Sequence, residues 1–513
     1  MTLIMKTGSK KTLTFLLAIT IALTLLAACG GGGSSDGNNS SNSSSSSTGN
    51  ASNSASSGNN NSTSPASDSG SSSSNNSNTS ANSGGVPDVV WARNFGGQSE
   101  GYFRSVASSG NGYVTVGWSL GATYGTVDWE GFEGNGDVDA IIVKFDANGN
   151  VVWQKNFGGY NSDRFQSVVW DGDGYVAVGG SESFGLGDWD EIQARPMGGG
   201  PIIVKFDENG DVVWKKAFDW GWSFSFNSVI AVSDGYVAVG NSNQDTADWD
   251  GFEGKGYGDA IIVKLDKNGD IVWKNNFGGE RADEFVSVIS DGTGYVAVGT
   301  SNENSFGNGD WEGVEGNGTD EAIIVKYDVY GNFVWAKSFG GSSWDCFESL
   351  VSTGDGYLVV GYSHRDSFGN GDWTGIEGTG GFYDALIVKF DEKGGLEWKK
   401  KLGGGAYTEL YSITAVSDGY LSAGYTGSIG RGDFEGLESK GGNDALIVKF
   451  DSNGDVIWMK NFGGGNTESF RTVMQFSDGL IAVGYSTTGS FGTGDWIGVE
   501  ANGSRDQIIV KFG

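Results

Sequence analysis

A strand-like phrase ending in tryptophan returns seven times, at Trp91, Trp153, Trp214, Trp273, Trp335, Trp398 and Trp458. The intervals are 62, 61, 59, 62, 63 and 60 residues. A period of this size marks an array of supersecondary units rather than a set of unrelated domains. Such units bury their faces only against their neighbours, so seven of them fold as one cooperative body. Glycine recurs too often after residue 86, 90 in the whole chain, for helical periodicity to hold over eleven residues.

Each unit reads as four strands. In the second copy these fall at residues 165–170, 175–178, 202–206 and 212–218. Asp171-Gly172-Asp173-Gly174 turns the first pair, a long loop joins the second strand to the third, and Asn209-Gly210 turns the last pair. Asn-Gly between apolar strands is a strong hairpin signal, and it recurs at Asn148-Gly149, Asn268-Gly269 and Asn453-Gly454.

Phrases such as IIVKFDANGNVVWQKNFGG resemble the bacterial β-propeller repeat family and, more loosely, the tryptophan-docking repeat of quinoprotein dehydrogenases. The match covers about residues 89–512 and speaks to fold, not to function. The resemblance implies a blade order with the F-x-S-V strand innermost, then G-Y-V-A-V-G, then I-I-V-K-F, and the tryptophan strand outermost. The folded chain then starts on an outermost strand (89–94) and stops on a third strand (508–512). The expectation is therefore an all-β, seven-bladed β-propeller of four-stranded blades, spanning 86–513 and closed by its N-terminal strand, which removes an open sheet edge.

Ahead of the repeats, Lys6, Lys10 and Lys11 precede an apolar run over about 13–28 that reads as an export signal, with Met5 a second possible start. It ends in Leu26-Ala27-Ala28-Cys29, which resembles the lipobox of bacterial lipoproteins. That resemblance implies cleavage after residue 28 and lipidation of Cys29, with two or more acyl chains anchoring the protein to the cell envelope. Residues 29–85 are Ser, Asn and Gly with almost nothing apolar, a disordered tether of about 40 Å average reach. With Cys29 lipidated, Cys346 has no partner for an intramolecular disulfide, and it reads as a small buried hydrophobe.

The formal charge of −31 excludes nucleic acid and an anionic bilayer as electrostatic partners, and favours cations or basic partners. Catalysis has little to draw on. His364 is the single histidine and has no visible partner, so triads and His-metal sites are set aside. Carboxylate pairs stay open because 63 acids allow many.

The expected strand order puts the elaborate loops on one face, where function is usually carried. The long loop repeats an Asp-aromatic step at Asp128, Asp248, Asp310, Asp372, Asp433 and Asp495, with a glutamate five residues on at Glu133, Glu253, Glu315, Glu377, Glu438 and Glu500. Asp188-Trp189 is the second-blade counterpart, without that glutamate and with Arg195 and Pro196 added. These aspartates either accept backbone N–H groups while the aromatic plugs the loop, or offer oxygen ligands to Ca²⁺. The D-x-N-G phrases, such as Asp146-Asn148, read as turns bonded to their own backbone rather than calcium loops. The loops from fourth to first strand carry Glu100, Asp163, Asp283, Asp345, Glu409 and Glu468, whereas the third blade offers Trp220, Trp222 and Phe224. These three rings, with Trp189 and Arg195 as rim, form the expected contact patch. The seven third-strand lysines (Lys144, Lys205, Lys264, Lys326, Lys389, Lys449, Lys511) read as structural.

The first reading is a monomeric, surface-displayed binding or adhesion module that engages an extracellular protein or glycan through the loop-rich face. Its alternatives are a carboxylate-dependent polysaccharide hydrolase or lyase and a structural envelope protein.

Overall fold

The computed structural model describes residues 85–192, 199–218, 225–242 and 254–513. Cys29, Arg195, Trp220, Trp222, Phe224 and Asp248 lie outside the described residues, as do the signal and nearly all of the tether.

The alternation of apolar and small residues is resolved into seven four-stranded antiparallel sheets, the blades of one β-propeller. In six blades the strands follow chain order from the axis outward. The seventh runs β26 (Glu468–Phe476), β27 (Gly479–Thr487), β28 (Arg505–Phe512) and then β1 (Val89–Phe95). The first strand of the chain therefore supplies the outermost strand of the last blade, paired from Val89↔Phe512 to Phe95↔Gln507. We number the blades so that blade 1 begins at Gly101 and blade 7 at Glu468.

First strands pack against first strands all the way round, and β26 returns to the strand Gly101–Ser108 of blade 1. The repeated serine of F-x-S-V stitches this inner ring. Ser105, Ser349 and Ser412 accept the N–H of Val168, Ile413 and Val473 in the next blade at 3.2, 3.2 and 3.1 Å. A free strand edge would otherwise present those N–H groups unpaired to the axis. The core lies between blades, each cluster drawing its apolar side chains from two neighbouring sheets.

The outer tryptophans dock on the hairpin of the next blade. Trp91 Nε1 donates to Ala147 O at 3.1 Å and Trp153 Nε1 to Glu208 O at 3.0 Å. The turn glycine of each hairpin sits against the ring, where a Cβ at Gly149 would come within 3.0 Å of Trp91. Gly149 also holds φ +80°, so turn and docking both require glycine. Asp146 Oδ1 accepts the N–H of Asn148 and Asn150, closing the turn on its own backbone.

Candidate functional site

The Asp-aromatic loops bind their neighbours. In six blades the aspartate carboxylate accepts the N–H of the glycine ending the adjacent outer strand: Gly96 to Asp128, Gly158 to Asp188, Gly278 to Asp310, Gly340 to Asp372, Gly403 to Asp433 and Gly463 to Asp495, at 2.8–3.0 Å. The same glycine's carbonyl accepts the aspartate N–H in return. Lys255, Lys440 and Asn502 also donate to the carboxylates of Asp310, Asp495 and Asp128. Among the described residues no three His, Cys, Asp or Glu side chains gather as metal ligands. Asp128, Asp310, Asp372, Asp433 and Asp495 thus stand as latches between blades, and the Ca²⁺ reading gains no ligand set there.

Trp189 corrects the expected rim. It is fully buried, edge-on to Phe157 at 5.1 Å, with Nε1 on Asp163 at 3.2 Å, so its ring does not face solvent. Trp129, Trp311, Trp373, Phe434 and Trp496 are buried in the same way. Each indole fills the gap between a loop and the neighbouring outer strand, a packing duty repeated with the blades.

Several loop acids are equally structural. Asp163, Asp283, Asp345 and Glu468 are buried and accept the N–H of Gly159, Gly279, Gly341 and Gly464 at 2.8–3.0 Å. Burial pushes their pKa values up to about 6, 7, 6 and 7. In the unfolded chain such carboxyls lose their protons near pH 4. Between these limits the folded state binds more protons, so stability falls as pH rises through that window. The melting temperature is expected to be higher at about pH 5 than at about pH 8, by calorimetry at fixed ionic strength. Acid loss begins lower: despite burial, hydrogen bonds from Lys205 and Tyr236 hold Asp171 at about 2, so its contribution survives at pH 5. A melting temperature that climbs from pH 5 to 8 would contradict these assignments.

Glu100 and Glu409 depart from that set, because each is offset by one residue from the loop acids. Glu100 pairs with Arg505 at 3.1 Å. Glu409 lies in the wall of the axial channel, where the hydroxyls of Tyr411 and Tyr425 donate to it, each at 2.7 Å. The third-strand lysines lie at the opposite, tight-turn face. Lys205 meets Asp171 at 2.8 Å, Lys511 meets Asp478 at 2.5 Å, and a tyrosine of the next blade completes the contact (Tyr236 on Asp171, Tyr113 on Asp478).

Two groups of residues belong to no repeated duty. The first occupies the x of F-x-S-V. In every blade the pairing of first and second strands slips by one residue there, between Phe103 and Ser105 in blade 1 and at the same place in the other six. A bulge re-aims the extra residue out of the ladder. Those residues are Arg104, Gln166, Asn227, Val286, Glu348, Tyr411 and Arg471. All are half-buried on the innermost strands. Six residue types share that one position in a ring otherwise built of near-copies. The Arg471 guanidinium lies 4.0 Å from the centre of the Tyr411 ring and 5.8 Å from that of Tyr485. Arg505 lies 5.0 Å from Tyr485 and 4.7 Å from Tyr102, and Arg164 lies 5.3 Å from Trp118. With Arg104, 5.9 Å from the Tyr102 ring, four of the chain's nine arginines gather with aromatics in blades 7, 1 and 2, in a protein of net charge −31. Glu284, Glu348 and Glu409 come from blades 4, 5 and 6, so the acids and the arginines fall in opposite halves of the ring.

The second group is an aromatic patch on the loop-rich ends of blades 5 and 6. Trp344, Phe382 and Tyr407 are 48%, 48% and 38% exposed, unlike the interior loop aromatics. Phe382 and Tyr407 stack at 5.3 Å with 5° between their planes. His364 lies between Trp344 and Phe382, at 5.8 and 6.4 Å, and the Arg365 guanidinium covers Phe382 at 4.7 Å. Ahead of the third strand Phe382-Tyr383 stands where other blades have Asp137-Val138, Thr319-Asp320 or Gly442-Asn443, and blade 3 places an exposed Tyr257 at the Phe382 position. His364 thus has packing partners and Ser343 Oγ at 3.1 Å. Cys346 is buried, as its isolation in the sequence suggests.

No family model matches the chain. Among curated proteins it is 25% identical over 200 residues to the regulatory protein FlaEY of Caulobacter vibrioides, covering 36% of this chain and 20% of that protein. It is 22% identical over 284 residues to an uncharacterized protein of Aquifex aeolicus, covering 55% of this chain and 65% of that one. The chain thus spans a fifth of the first relative and just under two thirds of the second. Among solved structures it is similar to BamB of Moraxella catarrhalis (TM-score 0.38, 12% identity, 83% of this chain and 100% of that chain). It is also similar to the WD40 β-propeller domain of Doa1 (TM-score 0.42, 11% identity, 83% and 96%).

Proposed function

We propose that the chain is an exported, lipid-anchored binding module that engages an extracellular protein or glycan through the loop-rich face of its propeller. The observation that carries this reading is the patch of Trp344, Phe382 and Tyr407, three exposed rings with no counterpart in the latches and plugs that repeat from blade to blade. Exposed aromatics with an adjoining arginine are typical interaction anchors, and a rigid ring holds them with little entropy left to lose on binding. Buried, backbone-bonded acids such as Asp163 and Asp283 fit scaffold duty better than a hydrolytic pair.

The test is Trp344→Ala combined with Tyr407→Ala in the full chain, screened on a polysaccharide-fragment array and an extracellular protein panel. The pair is expected to lose about 2 kcal/mol or more of binding per anchor. Undiminished capture by the double variant would remove the patch from the account.

Anchoring rests on Leu26-Ala27-Ala28-Cys29. Cys29→Ala is expected to abolish metabolic labelling by fatty acid and to shift the protein out of the detergent phase. Unchanged labelling would exclude the lipid anchor.

A further inference from the structure

We infer that the axial channel is a second, separate binding site, for a small carboxylate that also carries a hydroxyl or ammonium donor, with the carboxylate on Arg104 and Arg471 and the donor toward Glu348. Arg104 and Arg471 occupy the same bulge position on adjacent blades, and Thr472 Oγ1 ties the two inner strands by donating to Arg104 O at 2.8 Å. The Nε atoms of both guanidiniums are buried and have no hydrogen-bond partner among the described residues. Buried donors left unmade are costly, and a planar carboxylate is the acceptor that matches a guanidinium fork. The Tyr411 and Tyr485 rings lie 4.0 and 5.8 Å from the Arg471 guanidinium, which cation–π attraction holds in place. Across the channel Glu348 meets the thiol of Cys346 at 3.7 Å, a weak donor that leaves its carboxyl with acceptor capacity. Its neighbours are already engaged: Glu409 takes two tyrosine hydroxyls, and Glu284 takes Asn227 Nδ2 at 2.7 Å. The three groups without strong partners therefore comprise two donors on one wall and one acceptor on the other. All three sit at the same bulge position on the innermost strands, of blades 5, 7 and 1. A bare anion would satisfy the arginines alone, whereas a hydroxy acid or amino acid satisfies both walls.

The experiment is calorimetric titration of the full chain with lactate, L-alanine, acetate and methylamine. Lactate or L-alanine, whichever supplies the donor that fits, is expected to bind saturably at one site. Acetate should be weaker by about tenfold, and methylamine should not bind. Arg104→Gln and Arg471→Gln should each weaken binding by about tenfold or more, and Glu348→Leu should erase the advantage over acetate. Trp344→Ala with Tyr407→Ala should leave these titrations unchanged, which separates this site from the aromatic patch. Because an arginine variant could fail to fold, phenylglyoxal modification of the unaltered protein supplies a second measure: lactate or L-alanine should protect Arg104 and Arg471 in peptide maps. No saturable binding, equal binding of acetate, or protection confined to other arginines would each overturn the inference.

Discussion

Deleting residues 86–94 is expected to lower the melting temperature by about 5–10 °C, far more than nine residues at a chain end would suggest. The strand they form is the outer edge of blade 7, and its partner is the last strand of the chain. Without it, Val510 and Phe512 in β28 lose their cover from Val89 and Ala92, and the hairpin at Ala147 loses the Trp91 ring. Asn94 also bridges Glu500 O and Asp506, at 2.9 and 2.8 Å. Lost backbone pairing and apolar cover together amount to roughly 5 kcal/mol. The open edge of β28 should further appear as concentration-dependent association in sedimentation. A truncated chain that melts within a degree or two of the parent would mean the ring is closed by other contacts.

Trp373→Ala is expected to cost about 3–5 kcal/mol of stability. The indole is fully buried, edge-on to Phe339 at 5.1 Å, and its Nε1 donates to Asp345 and Ser363 at 3.1 and 3.0 Å. Blade 7 provides a control. Trp496 is equally buried, 5.0 Å from Phe462, but its Nε1 has no partner among the described residues. Trp373→Phe should therefore cost about 1 kcal/mol more than Trp496→Phe, since only the former strands a buried acceptor. Blade 6 already carries that exchange, with Phe434 for the tryptophan and Thr408 for the acid, the threonine bonded to Thr426 at 2.9 Å. Equal losses from the two tryptophan-to-phenylalanine variants would show that the hydrogen bond contributes nothing.

The fold was legible because repetition exposes it. Seven tryptophan phrases, the Asn-Gly hairpins and the mismatch between the first and last strands already specify blade number, strand order and closure, all of which the structure bears out. Strand ends were less legible: the strand expected at 165–170 begins at Asp163, since a buried carboxylate at a strand start looks in sequence like any loop acid. Trp189 misled for a related reason. A tryptophan in a polar loop reads as exposed, while its burial depends on Phe157, some thirty residues earlier in the outer strand of the preceding blade. The axial residues were invisible for the opposite reason. Variation at x, between a residue that is phenylalanine in six blades and one that is serine in six, resembles a tolerant surface site, until the bulge lifts that residue out of the ladder on the innermost strand. Positions that differ from copy to copy at a fixed place in the repeat are where a symmetric scaffold can hold one asymmetric ligand.

The proposed function assigns ring-building to the repeated residues and binding to departures from the repeat. It is tested most directly by measuring thermal stability and array binding side by side for Trp344→Ala with Tyr407→Ala and for Trp373→Ala. The exposed pair is expected to lose binding with a melting temperature within a degree or two of the parent, while Trp373→Ala is expected to melt several degrees lower and, where folded, still to bind. Destabilisation by the exposed pair with binding intact would contradict it.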